Sequence, residues 1–161
     1  MRLWKRISDL TINKILTIGK NANLAIMNSA GKAVTVIAGI PQRVLITVET
    51  LTSKAFGQTM MLSIAGGAII TLPAPTEGAR IKFIVAIAPT SVGYIIACGA
   101  GLLYGGTTCS DGGVGQSAAG GANFTFVSAQ SDIGDAVEFY SDGTYWYLSG
   151  FTADAAGGLV S

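Results

Sequence analysis

Apolar and polar positions along much of this chain alternate with the two-residue period of a β-strand. Ile81, Phe83, Val85 and Ile87 take every second position, and Phe124 and Phe126 repeat the spacing. Short apolar runs at 15–18, 24–27, 34–37 and 44–48 recur about every ten residues, separated by Gly-Lys-Asn, Asn-Ser-Ala-Gly-Lys and Gly-Ile-Pro-Gln clusters. Runs of that length between turn-forming clusters read as strands, in a meander or weak repeat. Further strands are predicted at 60–64, 68–72, 81–88, 93–98 and 123–128. Gly66-Gly67 lies between the strands at 60–64 and 68–72, residues 88–92 have the length of a hairpin connection, and Pro73 and Pro75 interrupt any ladder near 72–78.

The clearest local element lies at 137–150. Val-Glu-Phe-Tyr and Tyr-Trp-Tyr-Leu flank Ser-Asp-Gly-Thr, and Asp142-Gly143 tolerates the positive φ of a tight turn, so an antiparallel hairpin is predicted. Alternation puts Tyr145 and Tyr147 on one side and Trp146 on the other. Residues 105–121 hold seven glycines among small residues and read as a long loop. At the start, Leu3, Trp4, Ile7 and Leu10 share an arc of a helical wheel, a short amphipathic helix that needs a partner to form. About ten or eleven short strands and no long helix predict an all-β fold, an antiparallel β-sandwich or barrel. The expected division is a basic N-terminal arm or small β segment at 1–40, a β-sandwich domain at 41–154 and a flexible tail at 155–161.

Composition adds a reason to look outside the chain. The 161 residues suffice for one self-supporting core, yet only 12% are charged against about a quarter in an average soluble domain. A surface so short of charge is either small and neutral or buried against other subunits, and the second reading is favoured. The charges are also segregated. Residues 1–40 hold six Lys or Arg against Asp9 alone, net +5, while 41–161 hold four against eight acids, net −4. A basic arm before an acidic body suits docking on an acidic surface, or is a solvated face with no further role. The uncharged stretches 55–76 and 83–106 raise a small membrane protein as a remote alternative, but their prolines, paired glycines and strand period argue against spanning helices. No signal peptide is read at the start, because Asp9, Asn13 and Lys14 interrupt the apolar stretch.

Chemistry is sparse. The chain has no histidine, which removes the commonest general base and transition-metal ligand, and the protein is read as no enzyme. No catalytic residue, metal site or cofactor is assigned. Asp132 and Asp135 are the one close acidic pair on a turn, and capping that turn is the expected role. Gly113 to Ala118 matches a relaxed dinucleotide-binding glycine pattern without the helix that should follow, and reads as a flexible loop. Tyr140, Tyr145, Trp146 and Tyr147 form a sugar platform only if they share an exposed face. Outside the arm, Arg43, Lys54, Arg80 and Lys82 lack the aromatic interleaving of a nucleic-acid surface. Cys98 and Cys109 are too few for a disulfide framework; one bridge between them, or two free thiols, both remain open.

Two segments carry a resemblance. Ile-Thr-Leu-Pro-Ala-Pro-Thr-Glu-Gly-Ala-Arg-Ile-Lys-Phe-Ile-Val at 70–85, followed by Gly-Asp-Ala-Val-Glu-Phe-Tyr-Ser-Asp-Gly-Thr-Tyr-Trp-Tyr-Leu-Ser-Gly at 134–150, resembles small tailed-bacteriophage virion proteins. These are capsid decoration (cement) proteins and head-fibre modules. The resemblance covers roughly 51–150; residues 1–40 match nothing. It implies a tulip- or jelly-roll-like sandwich that forms a homotrimer on the outer capsid surface of a virion, with the major capsid protein as partner. It implies no catalytic residue, no nucleic-acid partner and no membrane. On that reading Arg2, Leu3, Trp4, Lys5, Arg6 and Ile7 dock the arm, with Trp4 as the buried anchor. The alternative is a head- or tail-fibre module that binds a receptor or carbohydrate.

Overall fold

The computed structural model describes residues 26–27, 33–34 and 42–161. The chain forms two compact units, 1–39 and 40–161. In the first, β1 (Ile26–Met27) pairs antiparallel with β2 (Ala33–Val34), Ile26 opposite Val34. The amphipathic helix and the run at 15–18 lie outside the described residues.

The second unit is all-β, built from β3 (Gln42–Leu45), β4 (Glu49–Thr50), β5 (Thr59–Leu62), β6 (Ala68–Thr71), β7 (Arg80–Val85), β8 (Tyr94–Ala97), β9 (Leu103–Cys109), β10 (Ser117–Gly121), β11 (Asn123–Phe126), β12 (Ala136–Ser141), β13 (Trp146–Thr152) and β14 (Gly158–Val160). They form a seven-stranded sheet, β10-β9-β13-β12-β7-β5-β3, and a five-stranded sheet, β14-β11-β8-β6-β4.

The expectation of antiparallel sheets is corrected: both sheets are mixed. From β3 to β8 the chain changes sheet at every step, so β3, β5 and β7 lie side by side and parallel, as do β4, β6 and β8. A parallel neighbour needs a crossover that carries the chain back to its starting end. Here the crossover is a strand of the opposite sheet, and the first half of the unit is a coil wound through both layers. The connection at 63–67 is an arch between sheets, and so is the one at 88–92, although its length suggests a hairpin. In the first arch Gly67 has φ +79°, and a Cβ there would lie 1.7 Å from the Val92 carbonyl oxygen, so two arches pack too closely for any side chain. Antiparallel pairing enters later, as β11 joins β8, β14 joins β11, and β12 joins β7.

Two further expectations are corrected. The glycine-rich stretch at 105–121 holds most of β9 and all of β10, paired antiparallel, with β9 parallel to β13. The tail at 155–161 holds a 3-10 turn (Ala155–Gly157) and β14, and Ser161 exchanges backbone hydrogen bonds with Asn123. The hairpin predicted at 137–150 is present as β12–β13, with Gly143 at φ +96° and Asp142 Oδ1 accepting from the N–H groups of Thr144 and Tyr145, each at 2.8 Å.

Both sheets contribute to one apolar cluster. Met60, Leu62, Ile81, Phe83, Val137, Phe139, Trp146 and Leu148 come from the seven-stranded sheet, and Ala68, Ile70, Tyr94, Ile96, Phe124 and Phe126 from the other. Phe83–Phe139 and Phe139–Trp146 meet edge to face at 5.7 and 6.4 Å, the geometry favoured by ring quadrupoles. Tyr94 is wholly buried, and its hydroxyl is bonded at 2.8 Å to Ile64 N, Ile64 O and Ile87 O, which pins both arches to the core. Arg43 and Glu49 sit in register with core-facing Met60 and Ile70, and their 2.7 Å ion pair joins β3 of one sheet to β4 of the other.

Candidate functional site

Burial of alternate residues leaves each sheet one outward face, and the two faces differ in chemistry. On the seven-stranded sheet, register aligns the outward residues into rows across the strands. One row is Tyr104, Tyr147, Tyr140 and Arg80; the next is Gly106, Ser149, Glu138, Lys82, Thr59 and Gln42; the third is Thr108, Phe151, Ala136, Ile84, Met61 and Val44. Tyr104 packs against Tyr145 at 4.9 Å and Tyr147 at 6.4 Å. Tyr140 and Tyr147 are each 40% exposed.

A charged cluster fixes one end of the aromatic row. Arg80 Nε donates to Glu138 Oε1, Tyr140 Oη donates to Glu138 Oε2, and the Arg80 guanidinium lies 5.3 Å from the centre of the Tyr140 ring. Burial opposes ionisation of Glu138, but the hydrogen bonds from Arg80 and Tyr140 and the charges of Arg80 and Lys82 outweigh it and hold the carboxyl below its usual range. The same partner raises the Arg80 guanidinium and the Tyr140 phenol. At the far side Tyr147 Oη donates to Asp142 Oδ2 at 2.8 Å, so the hairpin's turn carboxylate also fixes the ring above it.

The five-stranded sheet presents a plainer surface. Leu159, Thr125, Ile95 and Ile69 form one row, and Asn123, Ala97, Thr71 and Thr50 the other. None of these eight residues is charged, and Leu159 and Ile69 are 47% and 46% exposed. Val48, just before β4, is 69% exposed. An uncharged, β-branched sheet face loses little when a partner removes it from water.

The arm residues Arg2, Leu3, Trp4, Lys5, Arg6 and Ile7 lie outside the described residues. Within them, Asp135 Oδ2 accepts from Asp132 N at 3.0 Å and Oδ1 from Ala153 N at 2.8 Å, so the acidic pair closes its turn as expected. The glycine stretch from Gly113 is tied down by Asp111, which accepts from Gly113 N and Ala155 N, and no helix follows it. Trp146 is core while Tyr145 and Tyr147 point away from it, as alternation predicts. Cys98 and Cys109 are both free; burial pushes the Cys98 thiol up to about 12. Sequence reasoning missed Tyr104, Arg80 and Glu138, because strand register, invisible from spacing alone, brings them beside Tyr140 and Tyr147. Among the described residues no cluster of His, Cys, Asp or Glu is arranged to hold a metal ion, and no helix is long and apolar enough to cross a membrane. No protein-family model and no curated protein matches the chain.

Proposed function

We propose that this protein is a structural virion component, a capsid decoration protein that assembles as a homotrimeric β-sandwich and fastens to the major capsid protein. The observation that carries the reading is the outward face of the five-stranded sheet. Eight outward residues without a charge, on a unit whose eight acids and four basic residues all lie elsewhere, suit a surface that meets another protein. The resemblance at 70–85 and 134–150 supplies the kind of assembly, and the net +5 of residues 1–40 supplies a second means of attachment to an acidic shell.

The work is adhesive and needs no catalytic group. Native mass spectrometry of the full chain is expected to give three copies, and co-sedimentation with shells of the major capsid protein is expected to be lost when residues 2–10 are deleted while the trimer persists. A monomer that ignores such shells, or attachment unchanged by the deletion, overturns the proposal.

A further inference from the structure

The outward face of the seven-stranded sheet carries a feature that adhesion through the opposite sheet does not use. Two shallow clefts share Lys82 and Glu138 in their linings. One, of about 260 Å³, is lined by Gln58, Thr59, Arg80, Lys82, Ile84 and Glu138; the other, of about 220 Å³, by Lys82, Glu138, Ser149 and Phe151 among others. Both are smaller than the roughly 300–1,000 Å³ that encloses a small-molecule ligand, so an occupant keeps much of itself in solvent, as one unit of a longer chain does.

The charges define the occupant further. Residues 41–161 are net −4, yet two of their four cations, Arg80 and Lys82, flank the same cleft. Arg80 is oriented through its Nε by Glu138 and through its face by Tyr140, and its two terminal amino groups have no partner among the described residues. That leaves a held two-pronged donor, the arrangement that takes a carboxylate bidentately. Lys82 makes no ion pair among the described residues. Glu138 uses both oxygens internally, on Arg80 and on Tyr140, so it organises the cleft and leaves the guanidinium prongs to a ligand. Outside the lining of both clefts, in the row that ends at Arg80, lie the half-exposed rings of Tyr140 and Tyr147, with Tyr104 beyond. One face of Tyr140 is taken by the Arg80 guanidinium, so the C–H surface of a sugar ring is offered chiefly the ring of Tyr147, whose hydroxyl Asp142 already satisfies.

We propose that this face binds an acidic saccharide, its carboxylate held by Arg80 and Lys82 and its rings lying along Tyr140 and Tyr147. The site is independent of capsid attachment and is tested on the full chain alone. Calorimetric titration with hexagalacturonate and sialyllactose as acidic probes, maltohexaose as the neutral probe and acetate as the free anion separates the outcomes. Binding of an acidic probe is expected, at least tenfold tighter than maltohexaose and weakened by added salt. Lys82→Gln, at an ion-pair-free position, is expected to weaken it at least fivefold, and Tyr147→Ala about tenfold, with the β-type circular dichroism spectrum unchanged. No binding of either acidic probe overturns the proposal. So does preference for maltohexaose, acetate binding as tightly as the oligosaccharides, or Lys82→Gln without effect.

Discussion

The two sheets share one core but turn opposite kinds of surface to the outside. The seven-stranded sheet shows a row of tyrosines ending at Arg80, a row that holds Glu138 and Lys82, and a third, largely apolar row from Phe151 to Val44. The five-stranded sheet shows Ile69, Ile95, Leu159 and threonines, with no charge at all. Strand pairing runs through both sheets, so stability does not require the difference. A sheet face needs only side chains that tolerate the pleat. What the contrast teaches is that low overall charge is an average over two surfaces, one with its charge gathered into a single cluster and one with none.

The harshest way to break the contrast is to remove the side chain that supports one face from beneath. Trp146 is fully buried, meets Phe139 and Phe56 edge to face, and donates from its ring N–H to the Pro73 carbonyl. Trp146→Ala is expected to cost about 3–5 kcal/mol in chemical denaturation, and near-ultraviolet circular dichroism should show both sheets loosening together, because they have one core in common. Unfolding in two separate steps would show that the sheets are energetically distinct.

A gentler change addresses one face at a time. Ile95→Glu puts a charge in the middle of the bare face and is expected to weaken self-association about thirtyfold or more in sedimentation, with little change in thermal midpoint. Its counterpart Ser149→Glu, in the middle row of the other face, is expected to leave association intact and to weaken the acidic saccharide instead. Equal effects of the two on association would erase the distinction.

The smallest effect concerns acid. Asp142 is held below the usual carboxylate range by the N–H groups of Tyr145 and Thr144, then by the Tyr147 hydroxyl. A carboxyl depressed in the folded state stabilises it fully above the unfolded pKa of about 4, and that contribution fades as pH falls through the lower folded value. The thermal midpoint of Asp142→Ala is therefore expected to lie slightly below that of the parent at pH 7 and to converge with it in strong acid. A constant gap would assign the loss to the turn backbone and not to the charge.

Much of this was legible in the sequence, and the limits have physical causes. Period-two alternation identified Ile81, Phe83, Val85, Phe124 and Phe126 as one buried face, but it ran one step too far at Ile87, which lies past the end of β7 and is exposed. It says nothing about which strand lies alongside. A connection such as 88–92 has the same turn composition whether the chain returns within a sheet or arches to the other one, so the arch looked like a hairpin. At 105–121 glycine composition suggested a loop, whereas Gly105 sits so close to β13 that a Cβ would be 2.2 Å from the Leu148 carbonyl oxygen. There glycine marks close strand packing, not slack. The hairpin at 137–150 was readable because its partner strands, turn and cap are all local. The tyrosine row was not, because Tyr104 and Arg80 reach it only through β9–β13 and β7–β12 pairing.

The alternation of β3 to β8 between sheets has a consequence for how the molecule is made. None of those six strands is hydrogen-bonded to the one before or after it, so a nascent chain has no adjacent pair to zip while they leave the ribosome. Within this unit the first pairs between successive strands are β9–β10 and β12–β13, and β12 then adds an antiparallel neighbour to β7, which already lies beside β5. Until those strands emerge only the longer-range parallel pairs are on offer, and chains cut short before residue 136 lack the antiparallel partner of β7.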